Sequence, residues 1–378
     1  MSINQPSNGD CRVMIMAGGT GGHVFPALAV AERLRSKNVK ISWLGTARGI
    51  ESELVPANGI ELHHLSIEGI RGRGFAALLK APVLLLRSLV QALKVLSDFK
   101  PSVVLGMGGF ASGPGAVAAR LKGIPVVIHE QNSVAGTTNR LSAKIATRVM
   151  QGFPDTLANG EWCGNPVRAE IVRLAPPQER FAKRTGRPRL LVLGGSRGAL
   201  AINKLLPQAL SQINDKYCPE VLHQTGTAHW QTTTGNYQDQ GLVTQETLDK
   251  SGHDTSITVV PFIDDMAAAY GWADFVICRA GALTVAELTS AGLGAVLIPF
   301  PHAIDDHQTV NGEWLVNQGA AKLFQQSDLS AELLAEQISL LCSTPKLRLD
   351  MAMRARELAK NEAAQAVADV CLEVAHGR

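Results

Sequence analysis

The sequence predicts an α/β protein of two lobes facing one another across a cleft. Two short apolar runs each enter a glycine-rich turn. Cys11-Arg12-Val13-Met14-Ile15-Met16-Ala17 leads into Gly18-Gly19-Thr20-Gly21-Gly22-His23, and Arg189-Leu190-Leu191-Val192-Leu193 leads into Gly194-Gly195-Ser196-Arg197-Gly198-Ala199. Gly18 and Gly194 lie 176 residues apart in a chain of 378, so each turn belongs to its own half. β-Branched apolar runs alternate with helical patterns through both halves, the rhythm of parallel sheets wrapped by helices. A strand, a glycine turn and an opening helix expose backbone N–H groups where anions bind well. Two such units suit a transferase with one substrate on each side.

The length predicts about two domains. A hydrophobic content of 46% with only 18% charge excludes a disordered chain. The net charge is +3, but residues 1–166 carry 17 Lys/Arg against 10 Asp/Glu, and the remainder 19 against 23. The first lobe is therefore the one suited to an anionic surface. Six scattered cysteines without CxxC spacing fit a reduced cytoplasmic protein. The N-terminus is too polar for a secretory signal, and no apolar run approaches the roughly 20 residues of a membrane span, so the expectation is a soluble or peripheral protein.

Taken in order, strands are expected at 12–17, Val39–Leu44, Val103–Leu105 and Val126–His129, with helices at Ala27–Ser36, Pro82–Leu96 and Gly115–Lys122. The join falls at Gly164-Asn165-Pro166-Val167-Arg168, placing a first domain at 1–165 and a second at 166–355. Strands follow at 189–193, Glu220–Gln224, Thr258–Val260, Phe275–Cys278 and Ala295–Pro299, with helices opening near Gly198, Met266, Thr284 and Asp306. Residues 329–376 read as helical, and a last helix at about 356–378 is expected to pack back on the first lobe.

The first turn is neither a dinucleotide fingerprint, since the sixth position from Gly19 is Val24, nor a P-loop. Leu44-Gly45-Thr46 ends the second strand without an acid to hold a ribose. Four glycines and a terminal His in six residues exceed what a tight turn requires, which favours close backbone approach to a ligand over packing alone. His23 stands where the first helix opens, and a helix N-terminus favours the neutral, proton-accepting imidazole; capping or packing is the alternative. Gly106-Met107-Gly108-Gly109-Phe110-Ala111-Ser112-Gly113-Pro114-Gly115 and His129-Glu130-Gln131-Asn132 follow later strands and reach the same sheet edge, where open α/β sheets bind ligands.

In the second half, Gly194–Ala199 suits a diphosphate through N–H groups, the Ser196 hydroxyl and the helix dipole. Arg279-Ala280-Gly281-Ala282-Leu283-Thr284-Val285-Ala286-Glu287 repeats strand end, turn and helix start. Glu287 serves either the helix dipole or the two hydroxyls of a ribose. His302, Asp305, Asp306 and His307 suggest a metal, but the histidines are not at i,i+4 and the aspartates also suit a cap, so no metal is assigned. At 67–94, Arg73, Lys80, Arg87 and Lys94 recur every seven residues among many leucines, joined by Arg71 and opposed only by Glu68. Pro82 is expected to start or kink a helix there. An apolar surface rimmed by cations suits anionic lipid, and an ordinary core helix with a basic face is the alternative.

Gly18–His23, His129–Asn132, Gly164–Arg168, Gly194–Ala199, Arg279–Glu287 and Pro301-His302 through Asp306-His307-Gln308, in this order, resemble the MurG family, the bacterial N-acetylglucosaminyltransferases of peptidoglycan synthesis. The resemblance runs from about residue 12 to beyond 320. It implies a glycosyltransferase B fold, two Rossmann-like lobes with a cleft between them, and no cofactor or catalytic metal. It implies inverting transfer of GlcNAc from UDP-GlcNAc to the MurNAc 4-hydroxyl of lipid I, giving lipid II at the cytoplasmic face of the inner membrane. The implied donor residues are Thr20, Gly21, Gly22, Asn132, Arg168, Ser196, Ile263 by the uracil, Ala282, Leu283, Thr284, Val285, Ala286, Glu287 on the ribose, and Gln308. His23, as base or positioning group, would face the acceptor with Gly108, Gly109 and Ser112. Arg71, Arg73, Phe75, Leu79, Lys80 and Arg87 would dock on the anionic membrane. His307 stands where some members carry a second Gln, so no contact to the sugar is assigned to it. The expected partners are the two substrates, the membrane and other wall-synthesis proteins, with no nucleic acid. A UDP-GlcNAc epimerase of the same fold and a non-catalytic nucleotide-sugar-binding scaffold are the competing readings.

Overall fold

The computed structural model describes residues 11–67, 75–195, 198–246 and 257–377; of residues 75–81 and of Ile304 it describes the backbone alone. The chain divides into two compact units, Met1–Arg168 with Lys360–Arg378, and Ala169–Ala359.

The first unit begins β1 (Arg12–Met16), α1 (Gly21–Ser36), β2 (Lys40–Gly45), α2 (Glu51–Ala57), β3 (Glu61–His64) and α3 (Phe75–Phe99). It continues β4 (Val103–Gly106), α4 (Ser112–Leu121), β5 (Val126–Glu130), α5 (Thr137–Ala143), β6 (Arg148–Gln151) and β7 (Glu161–Trp162). The second unit opens with α6 (Ala169–Val172), α7 (Pro177–Ala182), β8 (Arg189–Leu193), α8 (Leu200–Ser211), β9 (Glu220–Gln224), α9 (Trp230–Asp239) and β10 (Ile257–Val260). It closes with α10 (Met266–Trp272), β11 (Phe275–Cys278), α11 (Ala282–Ala291), β12 (Gly294–Leu297), α12 (His307–Asn317), β13 (Ala321–Leu323), α13 (Ala331–Ser343) and α14 (Pro345–Glu357). The last helix, α15 (Ala363–Ala375), lies in the first unit, where Val367, Ala368 and Cys371 share a core with Val13, Ile15 and Val30.

Both sheets are parallel throughout, in the orders β3-β2-β1-β4-β5-β6-β7 and β10-β9-β8-β11-β12-β13. Their strands are apolar on both faces: Val13 and Ile15 face one core of the first unit, Met14 and Met16 the other. Two-sided burial gives these strands continuous hydrophobic runs, which is why they are legible in the sequence. The strand order reverses between β1 and β4 and again between β8 and β11, so the loops after these strands adjoin at each sheet's C-terminal edge.

The structure corrects several element boundaries. α1 begins at Gly21, not Ala27, with Thr20 in extended conformation as N-cap and its carbonyl accepting the N–H groups of His23 and Val24. Two glycines are poor helix formers, but they stand at the first two positions, whose N–H groups precede the first helical hydrogen bond. α3 runs unbroken through Pro82, since the ring's fixed φ is helical and the Ala- and Leu-rich turns on either side propagate the helix past one missing N–H. β3, β6, β7 and β13 escape the sequence reading because they are short, lie towards the sheet edges and carry polar residues.

Among the described residues, each unit buries one histidine completely. In β9, His223 Nε2–H donates to Asn203 Oδ1 on α8 at 3.1 Å, and Nδ1 accepts from the Tyr237 hydroxyl on α9 at 2.9 Å. Burial pushes the His223 pKa from 6.5 down to about 3. In β5, His129 Nε2–H donates to the Gly164 carbonyl at 2.9 Å. Burial lowers its pKa to about 4, against the opposing pull of that hydrogen bond and of Glu130. An unfolded chain takes up these protons near pH 6.5 while the folded one does not, so the unfolded state binds more protons below that point. Stability is therefore present above pH 6.5 and lost as pH falls towards the folded values. Lowering the pH from 7 to 5 is expected to cost about 2 kcal/mol per histidine, read by chemical denaturation at the two pH values. His223→Gln, whose amide can donate to Asn203 and accept from Tyr237, should remove about half of that histidine-dependent loss.

Candidate functional site

In the first unit, the β1–α1 and β4–α4 loops meet because their strands adjoin at the order reversal. Gly109, at φ +86°, lies so close to Gly18 that a Cβ there would stand 2.4 Å from the Gly18 carbonyl oxygen. Gly108, at φ +94°, lies against the His23 ring, where a Cβ would come within 2.8 Å of Cδ2. Both glycines are required by contact and by backbone conformation together. His23 is half-buried, and its Nδ1 lies 3.1 Å from the Gly18 carbonyl oxygen. A carbonyl only accepts, so Nδ1 carries the proton and Nε2 is the basic nitrogen of the neutral ring.

Ser112, expected at the acceptor, is buried, and its hydroxyl lies 2.7 Å from both Met16 O and Gly108 O. It holds the loop that presents Gly108 and is not displayed at the sheet edge. The His129–Asn132 segment is likewise turned inward for three of its four residues. Glu130 accepts the Asn132 N–H at 2.9 Å, the Gly136 N–H at 3.1 Å and the Asn139 amide at 2.9 Å, and Asn165 donates to Gln131 O at 2.9 Å. Asn132 is left half-buried at the end of the segment. The Arg168 guanidinium lies over the Phe25 ring at 5.4 Å, and a Cβ on Gly21 would touch that same ring at 3.2 Å. Arg168 and the start of α1 are thus neighbours although 147 residues separate them from Gly21.

The sequence reading misses Glu51. Its carboxylate, wholly buried at the first turn of α2, accepts the Gly19 N–H at 2.8 Å, the Thr46 N–H at 2.9 Å and the Thr46 hydroxyl at 2.7 Å. The available signal was an acid six residues past the second strand, folding back on the turn after the first. A search confined to the strand's end passes over it.

In the second unit, the β8–α8 turn is clamped at Gly194, whose N–H donates to Gln224 O. Gly198, at φ +76°, would place a Cβ 2.5 Å from Thr225 O and from the His229 ring. Ser196 and Arg197 lie outside the described residues. Across the order reversal, Gly281 caps α11, whose first-turn N–H groups at Ala282, Leu283 and Thr284 have no intrahelical acceptor. Glu287 is nearly buried and accepts the Tyr270 hydroxyl at 3.0 Å, a partner absent from the sequence reading. Val285 and Ala282 are buried, while Leu283, Thr284, Ala286 and Ile263 are half-buried. Gln308 Oε1 accepts the Phe300 N–H at 2.9 Å, closing the 300–308 loop, in which Asp305 and Asp306 both adopt left-handed backbone. Asp306 is the N-cap of α12, and its carboxylate takes the Thr309 hydroxyl. Among the described residues no cluster of His, Cys, Asp and Glu is arranged to hold a metal ion.

On α3, Val83, Leu85, Leu86 and Val90 are exposed, Val83 by 69%, alongside exposed Arg87 and Lys94. Arg71 and Arg73 lie outside the described residues, as do the side chains of Phe75, Leu79 and Lys80. The opposite face, Ser88, Ala92 and Leu96, is buried. No described helix is long and apolar enough to cross a membrane.

A family model described as the glycosyltransferase family 28 N-terminal domain matches residues 13–151, and one described as the C-terminal domain matches residues 189–370. Two parallel α/β units with glycine turns at both order reversals are the architecture of a nucleotide-sugar glycosyltransferase. The chain belongs to glycosyltransferase family 28. It is 52% identical over 371 residues to the UDP-N-acetylglucosamine--N-acetylmuramyl-(pentapeptide) pyrophosphoryl-undecaprenol N-acetylglucosamine transferase of Cellvibrio japonicus (strain Ueda107), covering 97% of this chain and 99% of the relative. The protein of the same name from Stutzerimonas stutzeri (strain A1501) is 51% identical over 368 residues, with the same coverage. Among solved structures, Acinetobacter baumannii MurG is similar with a TM-score of 0.79 and 39% identity, covering 96% of this chain and 99% of that one.

Gly109→Ala should lower stability by roughly 1–3 kcal/mol, from left-handed strain together with the collision against Gly18. Gly123→Ala, at φ +70° with nothing near its Cβ, carries strain alone. The gap between the two denaturation midpoints measures the contact between the loops, and equal midpoints would refute it.

Proposed function

We propose that the protein transfers N-acetylglucosamine from UDP-GlcNAc to the 4-hydroxyl of the MurNAc of lipid I, with inversion, forming lipid II in peptidoglycan synthesis. The observation that carries this reading is identity at half of all positions, over nearly the whole chain, with enzymes named for that transfer. The glycine turns at both order reversals supply the chemistry it needs.

The first unit is assigned to the acceptor and the second to the nucleotide. In the second unit, the Gly194–Ala199 turn and the start of α11 are assigned to the diphosphate, where a helix N-terminus favours an anion. Glu287, held by Tyr270, accepts from the ribose hydroxyls through its carboxylate, Ile263 lies by the uracil, and Gln308 shapes the loop beside the sugar. Ser196 and the run Ala282–Glu287 complete the nucleotide contacts. From the first unit, Thr20, Gly21, Gly22, Asn132 and Arg168 contribute to the donor sugar and diphosphate. Oriented N–H groups and a guanidinium stabilise the charge that develops on the departing diphosphate. Gly108 and Gly109 are assigned to the acceptor side together with His23. The transition state is oxocarbenium-like, by analogy with glycoside hydrolysis. His23 Nε2 takes the proton of the attacking hydroxyl, the new glycosidic C–O bond forms, and the anomeric C–O bond breaks with its electron pair leaving on UDP.

The protein docks on the anionic cytoplasmic leaflet through α3. The exposed Val83, Leu86 and Val90 with Arg87 and Lys94 support this, as an apolar stripe flanked by cations binds an anionic interface.

Incubation of the purified protein with labelled UDP-GlcNAc and a lipid I analogue should yield labelled lipid and UDP. Conversion of UDP-GlcNAc without acceptor, or binding without UDP release, would overturn the reading. His23→Ala should lower kcat by about 10²–10⁴-fold with UDP-GlcNAc affinity retained. Glu287→Ala should weaken UDP binding in calorimetry, and an unchanged affinity would refute its ribose contact.

A further inference from the structure

We propose that Glu51 is the positioning residue of His23, acting through the single peptide unit that joins Gly18 to Gly19. The carbonyl of that peptide accepts the His23 Nδ1–H at 3.1 Å, and its N–H donates to Glu51 Oε2 at 2.8 Å. Carboxylate, amide and imidazole therefore form one continuous hydrogen-bonded chain. Pull on the N–H by a carboxylate shifts electron density onto the carbonyl oxygen, and hydrogen bonds in series strengthen one another. The carbonyl becomes a stronger acceptor for Nδ1–H, which holds the proton on Nδ1, orients Nε2 as the basic nitrogen and stabilises the imidazolium that forms when Nε2 gains a proton. This inference rests on the assignment of His23 to the acceptor's proton.

The surroundings of Glu51 are built for a fixed carboxylate. Oε1 is held by the Thr46 N–H and hydroxyl, so Oε2 cannot swing away from Gly19. Gly18, Gly45 and Gly49 enclose the side chain: a Cβ on Gly18 would stand 2.4 Å from Oε1, on Gly45 2.8 Å from Cγ, and on Gly49 1.9 Å from Oε2. A carboxylate removed from water is costly unless its oxygens are satisfied. Here all three donors are backbone or hydroxyl groups, and no described cation forms an ion pair with it, so its charge is directed into the peptide. Gly109, packed against the Gly18 carbonyl, keeps that peptide from rotating.

Two measurements test the proposal. In ¹⁵N-histidine spectra of the wild-type protein, with the His23 signals assigned by their loss in His23→Ala, the neutral ring should carry its proton on Nδ1; a proton on Nε2 overturns the proposal without any variant at position 51. In a double-mutant cycle, Glu51→Gln should lower kcat by about 10- to 100-fold, the range seen for partners that orient metal-bound histidines. KM for UDP-GlcNAc should stay within about twofold, and in the His23→Ala background the same substitution should cost less than about twofold. Additive losses, or a rise in KM with kcat unchanged, mean that Glu51 acts on the loop and not through His23, and overturn the proposal. If Glu51→Gln does not fold, the wild-type tautomer decides alone. Absence of transfer by the wild-type protein would refute the functional reading, while the tautomer would still test the hydrogen-bonded chain.

Discussion

A chain leaving the end of a parallel strand carries N–H groups that have lost their ladder partners, and each must find an acceptor or face solvent or ligand. This constraint recurs after every strand of both sheets, always at the same edge, because all strands run one way. The protein meets it with glycine turns and helix N-termini, and with two buried carboxylates. Glu51 takes the N–H groups of Gly19 and Thr46; Glu130 takes those of Asn132 and Gly136. The N–H groups of Gly21 and Gly22 in α1, and of Ala282, Leu283 and Thr284 in α11, precede the first helical hydrogen bond of their helices. N–H groups suited to an anion are thus what remains at the edge after the fold has satisfied its own backbone.

The same constraint separates residues that resemble one another in sequence. His23 and His129 each follow a strand of the first sheet. His129 is wholly buried, bonded to Gly164 O and held neutral far below the usual histidine range. His23, in the first turn of α1, stands half-buried with its proton-bearing nitrogen fixed by Gly18. Placement relative to the sheet edge, not residue type, divides the histidine enclosed in the core from the one presented at the edge. The carboxylates divide likewise: Glu130 shapes its own loop, whereas Glu287, in the second turn of α11, accepts the Tyr270 hydroxyl.

Contact across the order reversal explains the glycine density of the first unit. The β1–α1 and β4–α4 loops approach closely enough that Gly18, Gly108 and Gly109 leave no room for side chains. Glycines that look redundant in a single turn are therefore shared between two turns. The cost is conformational entropy in the unfolded chain, offset by a loop pair rigid enough to hold an imidazole in place.

The sequence by itself determined the fold class, the central strands and the glycine turns, because two-sided burial writes continuous apolar runs and close backbone approach demands glycine locally. It also determined that His23 opens a helix and that α3 carries cations among leucines. Only the tertiary structure decided the rest. The edge strands β3, β7 and β13, and β6 next to the edge, lack the two-sided burial that marks a strand, and the course of α3 through Pro82 depends on the turns around it. Ser112 and the His129–Gln131 segment have polar side chains that suggest a ligand, yet the partners shown are backbone groups and neighbouring side chains of the protein itself. Glu51 reaches Gly19 across 32 residues, and Tyr270 reaches Glu287 across 17. A periodicity carries information about one element's faces, whereas these contacts arise where separate elements converge, and no local pattern records them.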